Sequence, residues 1–204
     1  MNKRGFFRLI AAAGLITSTP IIVTGCFDQT ASFVSIDVTG ADYARDFQLP
    51  DQDGKTRSIK DFAGKVVVVF FGYTQCPDVC PTTMAELAEI RKLLGKDGER
   101  FQGVLITVDP QRDTAEVLKA YLGNFDAGFV ALRPSSPQQL AALAKDYKVY
   151  FKTAQGRTAT SYTMDHSAGS YVYDTRGQLR LYTRYGMGVQ ALAADIRQLL
   201  KQAS

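Results

Sequence analysis

A single histidine, His166, and three cysteines, at 26, 76 and 80, are all the histidine and cysteine that 204 residues supply. One histidine excludes any multi-histidine metal centre, and three cysteines are too few for a disulfide-built scaffold. Positive charge is also scarce once the first 25 residues are set aside. The formal net charge is +4, but Lys3, Arg4 and Arg8 lie in that acid-free stretch, and the remainder carries 21 basic against 20 acidic residues. A basic nucleic-acid footprint is thereby excluded at the level of bulk charge, and no nucleic-acid partner is expected. Residues 45–204 show no internal repeat, low-complexity tract or linker. What is present is a globular composition, 46% hydrophobic and 22% charged. That is too apolar for a disordered chain, and the length suits one domain with an appendage.

The appendage comes first. Residues 6–23 are largely apolar, but Arg8, Thr17, Ser18 and Pro20 interrupt them. They make a poor span against the need for about 20 consecutive apolar residues. Positive charge, apolar core, small residues and then Cys26 follow in the order of a bacterial secretory signal. Val23-Thr24-Gly25-Cys26 resembles a lipobox, where processing cleaves before the cysteine and acylates it. The expectation is a signal peptide over 1–25, lipidation at Cys26, a lipid-anchored tether over 26–42 and a domain over 43–204. That places the protein in the bacterial cell envelope, as a membrane-anchored lipoprotein facing the periplasm. An uncleaved anchor helix is the competing reading, and it leads to the same oxidising compartment. Cleavage leaves Cys76 and Cys80 as a lone pair of thiols to be read together.

Along the domain, residues 46–49 read as a strand entering a hairpin turn at 50–55. Residues 66–71 are an unbroken apolar, β-branched run, as in a strand buried on both faces. Residues 81–95 are helical, with Leu87, Ile90 and Leu94 on one face and Gly95 as the stop. A second buried strand follows at 104–108, then helical patterns over 114–122 and around Leu140, Leu143, Ala144 and Tyr147. Residues 168–173 and 179–184 flank the turn Asp174-Thr175-Arg176-Gly177 and pair as an antiparallel hairpin. A last helix carries Leu192, Ile196 and Leu199. Residues 152–165 have weak periodicity and read as an exposed loop leading to His166. A βαβ half joined to a ββα half predicts an α/β, thioredoxin-like domain: a mixed central sheet flanked by helices, with an N-terminal β-hairpin extension.

Cys76 and Cys80 lie between the first buried strand and its helix, at the carboxyl edge where open α/β sheets place their sites. Pro81 fits the first helical turn and holds Cys80 at or just before the helix start. Positive dipole charge there is expected to lower the thiol pKa and favour thiolate. The bland alternative is a pair of inert core cysteines. His166 precedes the 168–173 strand, a connection that in a thioredoxin-like order passes across from the cysteine loop. Two thiolates and one imidazole make a soft three-ligand set suited to copper(I). Cys₂His with an open position also suits zinc. Asp78 and Asp165 flank these residues, either to orient His166 or to meet a docking partner.

Three segments then carry a resemblance: FFGYTQCPDVCPTTM at 70–84, TVDPQRDT at 107–114 and DHSAGSYVYD at 165–174. In that order they resemble the Sco/SenC family of copper-binding assembly proteins for cytochrome c oxidase, over about residues 43–200. The resemblance implies copper at Cys76, Cys80 and His166, as copper(I) with copper(II) as an alternative valence, and Cys76 and Cys80 as a redox-active pair. It implies delivery to, or thiol reduction of, the binuclear copper site of an oxidase subunit. The partners are then that subunit, a periplasmic copper donor, a thiol reductant and the membrane that holds the lipid. Asp109, Pro110, Arg112 and Asp113 match the second motif and read as structural support for the site.

A periplasmic thiol-disulfide oxidoreductase is the alternative. Such enzymes usually show Cys-x-x-Cys, one residue shorter than here, and tend to carry a proline before the strand that follows His166. Residues 160–167 contain none. A peroxiredoxin is suggested by Val79-Cys80-Pro81-Thr82-Thr83, but Cys76 so close by does not fit that pattern.

Overall fold

The protein is described from a computed structural model, which covers residues 32–156 and 161–202. The expected signal peptide, Cys26 and the first residues of the tether lie outside the described residues. In chain order the strands and helices are β1 (Ile36–Asp37), β2 (Leu49–Pro50), β3 (Thr56–Arg57), β4 (Val66–Gly72), α1 (Val79–Leu93), β5 (Phe101–Thr107) and α2 (Ala115–Gly123). Then come β6 (Val130–Leu132), α3 (Pro137–Asp146), β7 (Phe151–Gln155), β8 (Tyr162–His166), β9 (Ser170–Tyr173), β10 (Leu179–Thr183) and α4 (Val189–Lys201).

Six strands form one sheet in the order β1-β10-β9-β4-β5-β6. β4 pairs parallel with β5, and β5 with β6, whereas β9 lies antiparallel to β4. Every residue of β4 and β5 is buried, which is why both read as continuous apolar runs rather than alternating ones. Burying each valine of β4 contributes about 1.5–3 kcal/mol relative to exposure. α1 and α4 pack on each other and against β5 and β4. The order β4-α1-β5, then β9-β10-α4, is the βαβ and ββα pattern expected. The β2–β3 pair forms the expected hairpin extension, with Leu49 opposite Arg57.

Two expectations change. Of the expected loop over 152–165, the described residues 152–155 and 162–165 are strand: β7 and β8 form an antiparallel ladder with Phe151 opposite His166 and Gln155 opposite Tyr162. β7 is mostly exposed, whereas β8 alternates, with Met164 buried in the core and Tyr162 and His166 part-buried between exposed Thr163 and Asp165. An alternation of five residues with one aliphatic side chain is too short to stand out in the sequence. The tether expected over 26–42 is also shorter at its carboxyl end. Ile36 and Asp37 pair with Tyr182 and Leu181, and the buried Asp195 carboxylate accepts the N–H groups of Val34 and Ser35 at 2.9 and 2.8 Å. β6, a three-residue edge strand, has too short a run to be seen in the sequence.

Candidate metal centre

β4 ends at Gly72, and the chain turns before α1 begins at Val79. Cys76 donates its N–H to the Tyr73 carbonyl at 3.2 Å, which closes a tight turn. Cys80, the second residue of α1, donates its N–H to Cys76 Sγ at 3.4 Å. The helix start therefore presents a backbone donor to the first sulfur. Both thiols are free; Cys80 is buried and Cys76 is part-exposed. Gly72 makes room for this. A Cβ at position 72 would stand 2.7 Å from Cys80 Sγ, so the bare backbone is what lets the sulfur sit over the strand end.

The pKa expectation for Cys80 is overturned. Burial, and then the interaction with Cys76, push its thiol well above the ordinary value. The sulfur faces the core rather than water, and the desolvation of a thiolate outweighs the helix dipole.

His166 ends β8. Its Nε2 lies 3.5 Å from Cys80 Sγ and its Nδ1 lies 2.9 Å from the Ser167 carbonyl oxygen. Tyr73 presents its ring to the imidazole edge-on, with centroids 5.9 Å apart, and the Tyr73 hydroxyl accepts the Met164 N–H at 3.2 Å. The donor atoms of Cys76, Cys80 and His166 all lie within 4.8 Å of one another. Two sulfurs and one imidazole nitrogen brought together in this way fit a soft cation such as copper(I). The cleft above them is lined by Cys76, Pro77, Asp78, Met164, Asp165 and His166.

Asp78 and Asp165 are both exposed. The acceptor at His166 Nδ1 is the Ser167 carbonyl, so neither carboxylate occupies the orienting position foreseen for one of them. Asp113 is fully buried and accepts the Thr74 N–H at 3.2 Å, the Thr74 hydroxyl at 2.5 Å and the Thr107 hydroxyl at 2.5 Å. It ties the cysteine loop to the end of β5, at the cost of a carboxyl pKa raised by burial against those hydrogen bonds. Asp109 accepts the Tyr162 hydroxyl at 2.9 Å and also bonds Arg112. The Pro110 carbonyl accepts Arg133 Nε and Nη2 at 3.0 and 2.7 Å. Gly72, Tyr73 and Tyr162 were not foreseen. Only Gly72, a glycine closing an apolar run, carried a signal in the sequence.

Among the described residues, no helix is long and apolar enough to cross a membrane.

A family model described as SCO1/SenC matches residues 37–201. A SCO2-like protein of Rickettsia felis is 36% identical over 134 residues, which is 65% of this chain and 65% of that relative. The match thus spans just under two thirds of the relative's length. The structure of Bradyrhizobium japonicum ScoI with copper bound is 38% identical, covering 76% of this chain and 97% of that one, with a TM-score of 0.68. The apo Sco1 protein of Thermus thermophilus is 30% identical, covering 86% and 99%, with a TM-score of 0.71. The thioredoxin-like α/β fold read from the sequence stands on these likenesses and on the mixed sheet.

Proposed function

Because the chain belongs to the SCO1/SenC family, we propose that it is a copper metallochaperone that holds copper(I) on Cys76, Cys80 and His166 for assembly of the binuclear copper site of cytochrome c oxidase. The observation that carries the reading is the convergence of two sulfurs and one imidazole nitrogen within 4.8 Å, from residues up to 90 positions apart. When bound, copper supplies the cargo; the chain supplies the grip. Cys76 and His166 line the open cleft, whereas Cys80 does not, so an acceptor protein's ligands approach from the Cys76 and His166 side. A lipid on Cys26 would keep this cleft near the periplasmic face of a membrane, beside an integral oxidase subunit.

The test is a competition titration of the reduced full chain against a copper(I) chelator, alongside Cys76→Ala, Cys80→Ala and His166→Ala. Each variant is expected to bind more weakly than the parent. Unchanged affinity in all three overturns the proposal. For the tether, mass spectrometry of membrane-extracted protein should find an acylated N-terminus at Cys26, and an intact Met1 terminus would overturn it.

One observation favours a second activity. Cys76 and Cys80 are free, adjacent and unequally exposed, the arrangement of an attacking thiol backed by a resolving one. Reduction of the oxidase subunit's own copper-ligand cysteines is the reaction this would serve. His166→Ala separates the two: copper binding should fall while dithiol reduction of a model disulfide continues.

A further inference from the structure

The half of the metal centre that carries His166 is not part of the central sheet. β7 and β8 form a separate two-stranded ladder, so no strand pairing fixes their tilt over the cysteine loop. Side chains do so: the Tyr73 hydroxyl accepts the Met164 N–H at 3.2 Å, and Arg112 reaches both halves through several contacts. Arg112 Nη1 donates to the Tyr162 carbonyl at 2.9 Å and to Gln75 Oε1 at 3.1 Å. Gln75 adjoins Cys76; Tyr162 starts the strand that His166 ends. The guanidinium also stacks on the Tyr162 ring, with Cζ 3.6 Å from the centroid, and its Nε donates to the buried Asp109 carboxylate. The other oxygen of Asp109 accepts the Tyr162 hydroxyl at 2.9 Å. Tyr162 is thus gripped through its ring, its carbonyl and its hydroxyl.

This grip is costly. Arg112 Nη2 is buried without a hydrogen-bond partner among the described residues, and an orphaned donor of that kind loses stability that an apolar side chain would keep. A hydrophobic contact would pin the hairpin more cheaply. A planar fork that engages carboxylate, carbonyl and ring together instead fixes orientation, which lysine cannot imitate.

We propose that Arg112 is a positioning residue: with Asp109 and Tyr162 it sets the tilt of the β7–β8 hairpin and so holds His166 in register with Cys76 and Cys80. The inference rests on the copper-binding reading of that cluster. Groups that orient a ligand in this way typically change metal affinity by about 10–100-fold.

The experiment measures copper(I) affinity by chelator competition for the reduced full chain, Arg112→Met, Arg112→Lys and Tyr162→Phe, each also made in a His166→Ala background. Arg112→Met and Arg112→Lys should both lose about 10–100-fold, and Tyr162→Phe, which keeps the stack, should lose less. In the His166→Ala background the same changes should cost little, because the clamp acts through the imidazole. No loss, or an equal loss in both backgrounds, overturns the proposal, since Arg112 would then be idle or would act on the fold at large. Amide hydrogen exchange of the metal-free chain gives a second readout. Arg112→Met should speed exchange at Met164 and His166 and leave β4 and β5 unchanged; exchange unaltered at those two amides also overturns it. If the parent chain takes up no copper(I), the copper reading fails by itself, and hydrogen exchange still decides whether Arg112 holds the hairpin.

Discussion

Cys80 Sγ lies 3.5 Å from His166 Nε2, across 86 positions of sequence. On the far side of the ring, Nδ1 lies 2.9 Å from the Ser167 carbonyl oxygen. A carbonyl only accepts, so Nδ1 carries the proton and donates it there. In the tautomer protonated at Nδ1, the Nε2 lone pair is the one that faces the sulfur and is free for a metal. Long-range nitrogen–proton NMR correlations of the reduced, metal-free chain should find the neutral imidazole protonated at Nδ1. A neutral ring protonated at Nε2 would contradict this account of how His166 is prepared.

Gly72 is the position where the fold and the site compete most directly for space. A Cβ there would meet Cys80 Sγ at 2.7 Å, the Phe70 ring at 3.0 Å and Leu105 at 3.3 Å. All three belong to a packed core with little room to give. Gly72→Ala should cost about 1–3 kcal/mol of stability by overpacking and weaken copper(I) binding by displacing the sulfur. Gly123→Ala is the control: nothing lies within 4 Å of its Cβ, so it should be neutral or stabilising by up to about 1 kcal/mol. Urea unfolding and chelator competition on both variants measure the contrast.

Asp51 holds the turn of the N-terminal hairpin together and gives acid sensitivity a defined source. Its buried carboxylate accepts the N–H groups of Asp53 and Lys55, each at 2.9 Å, and Arg57 Nε at 2.7 Å. Burial works to raise its pKa, but the hydrogen bonds from Arg57, Lys55 and Asp53 outweigh it and hold the carboxyl below its ordinary value of 3.8. The unfolded chain therefore binds this proton more tightly than the folded one. The contribution is full above pH 3.8 and is lost as pH falls through the lower folded-state value. Asp51→Asn should cost about 1.5–3 kcal/mol at pH 7, with the gap to the parent closing in strong acid. Urea midpoints at pH 7 and pH 3 test it; a gap of constant size would show that ionisation of Asp51 plays no part.

The parts of this molecule that were legible in its sequence are those where packing dictates residue type. β4 and β5 are buried on both faces and show it in every position. The cysteine loop declares itself because two thiols, a glycine and two prolines fall within ten residues of one strand end. His166 was findable because there is no other histidine. What stayed hidden depends on short patterns, on backbone groups or on distance. The β7–β8 ladder buries Met164 but has only a five-residue alternation with one aliphatic side chain, too short a pattern to read. The acceptor that orients His166 is a carbonyl, which every residue has. The burial of Cys80 depends on how the core closes over the helix start, and a helix-dipole argument made from sequence alone cannot weigh that desolvation.

Metal binding and the redox state of Cys76 and Cys80 are coupled. Copper(I) held by both thiolates and a disulfide between the same sulfurs exclude each other, since the disulfide is two electrons more oxidised and leaves neither sulfur as a thiolate. The two sulfurs already lie within 4.8 Å of each other, so either outcome needs only local movement. A ligand that binds one state alone stabilises it by about 4.1 kcal/mol at 1,000 times its dissociation constant. For a two-electron couple, about 1.4 kcal/mol corresponds to about 30 mV. Copper(I) buffered at that saturation should therefore make the pair harder to oxidise, lowering its midpoint potential by about 90 mV. In an oxidising compartment, loading would protect the thiols and release would expose them, which gives transfer a direction. His166→Ala binds copper more weakly in this scheme, so at the same buffered concentration its shift should shrink. The measurement is the midpoint potential of the pair in both chains, with and without buffered copper(I). A parent shift within error would mean that copper does not engage both sulfurs, and the carrier mechanism would fail with it.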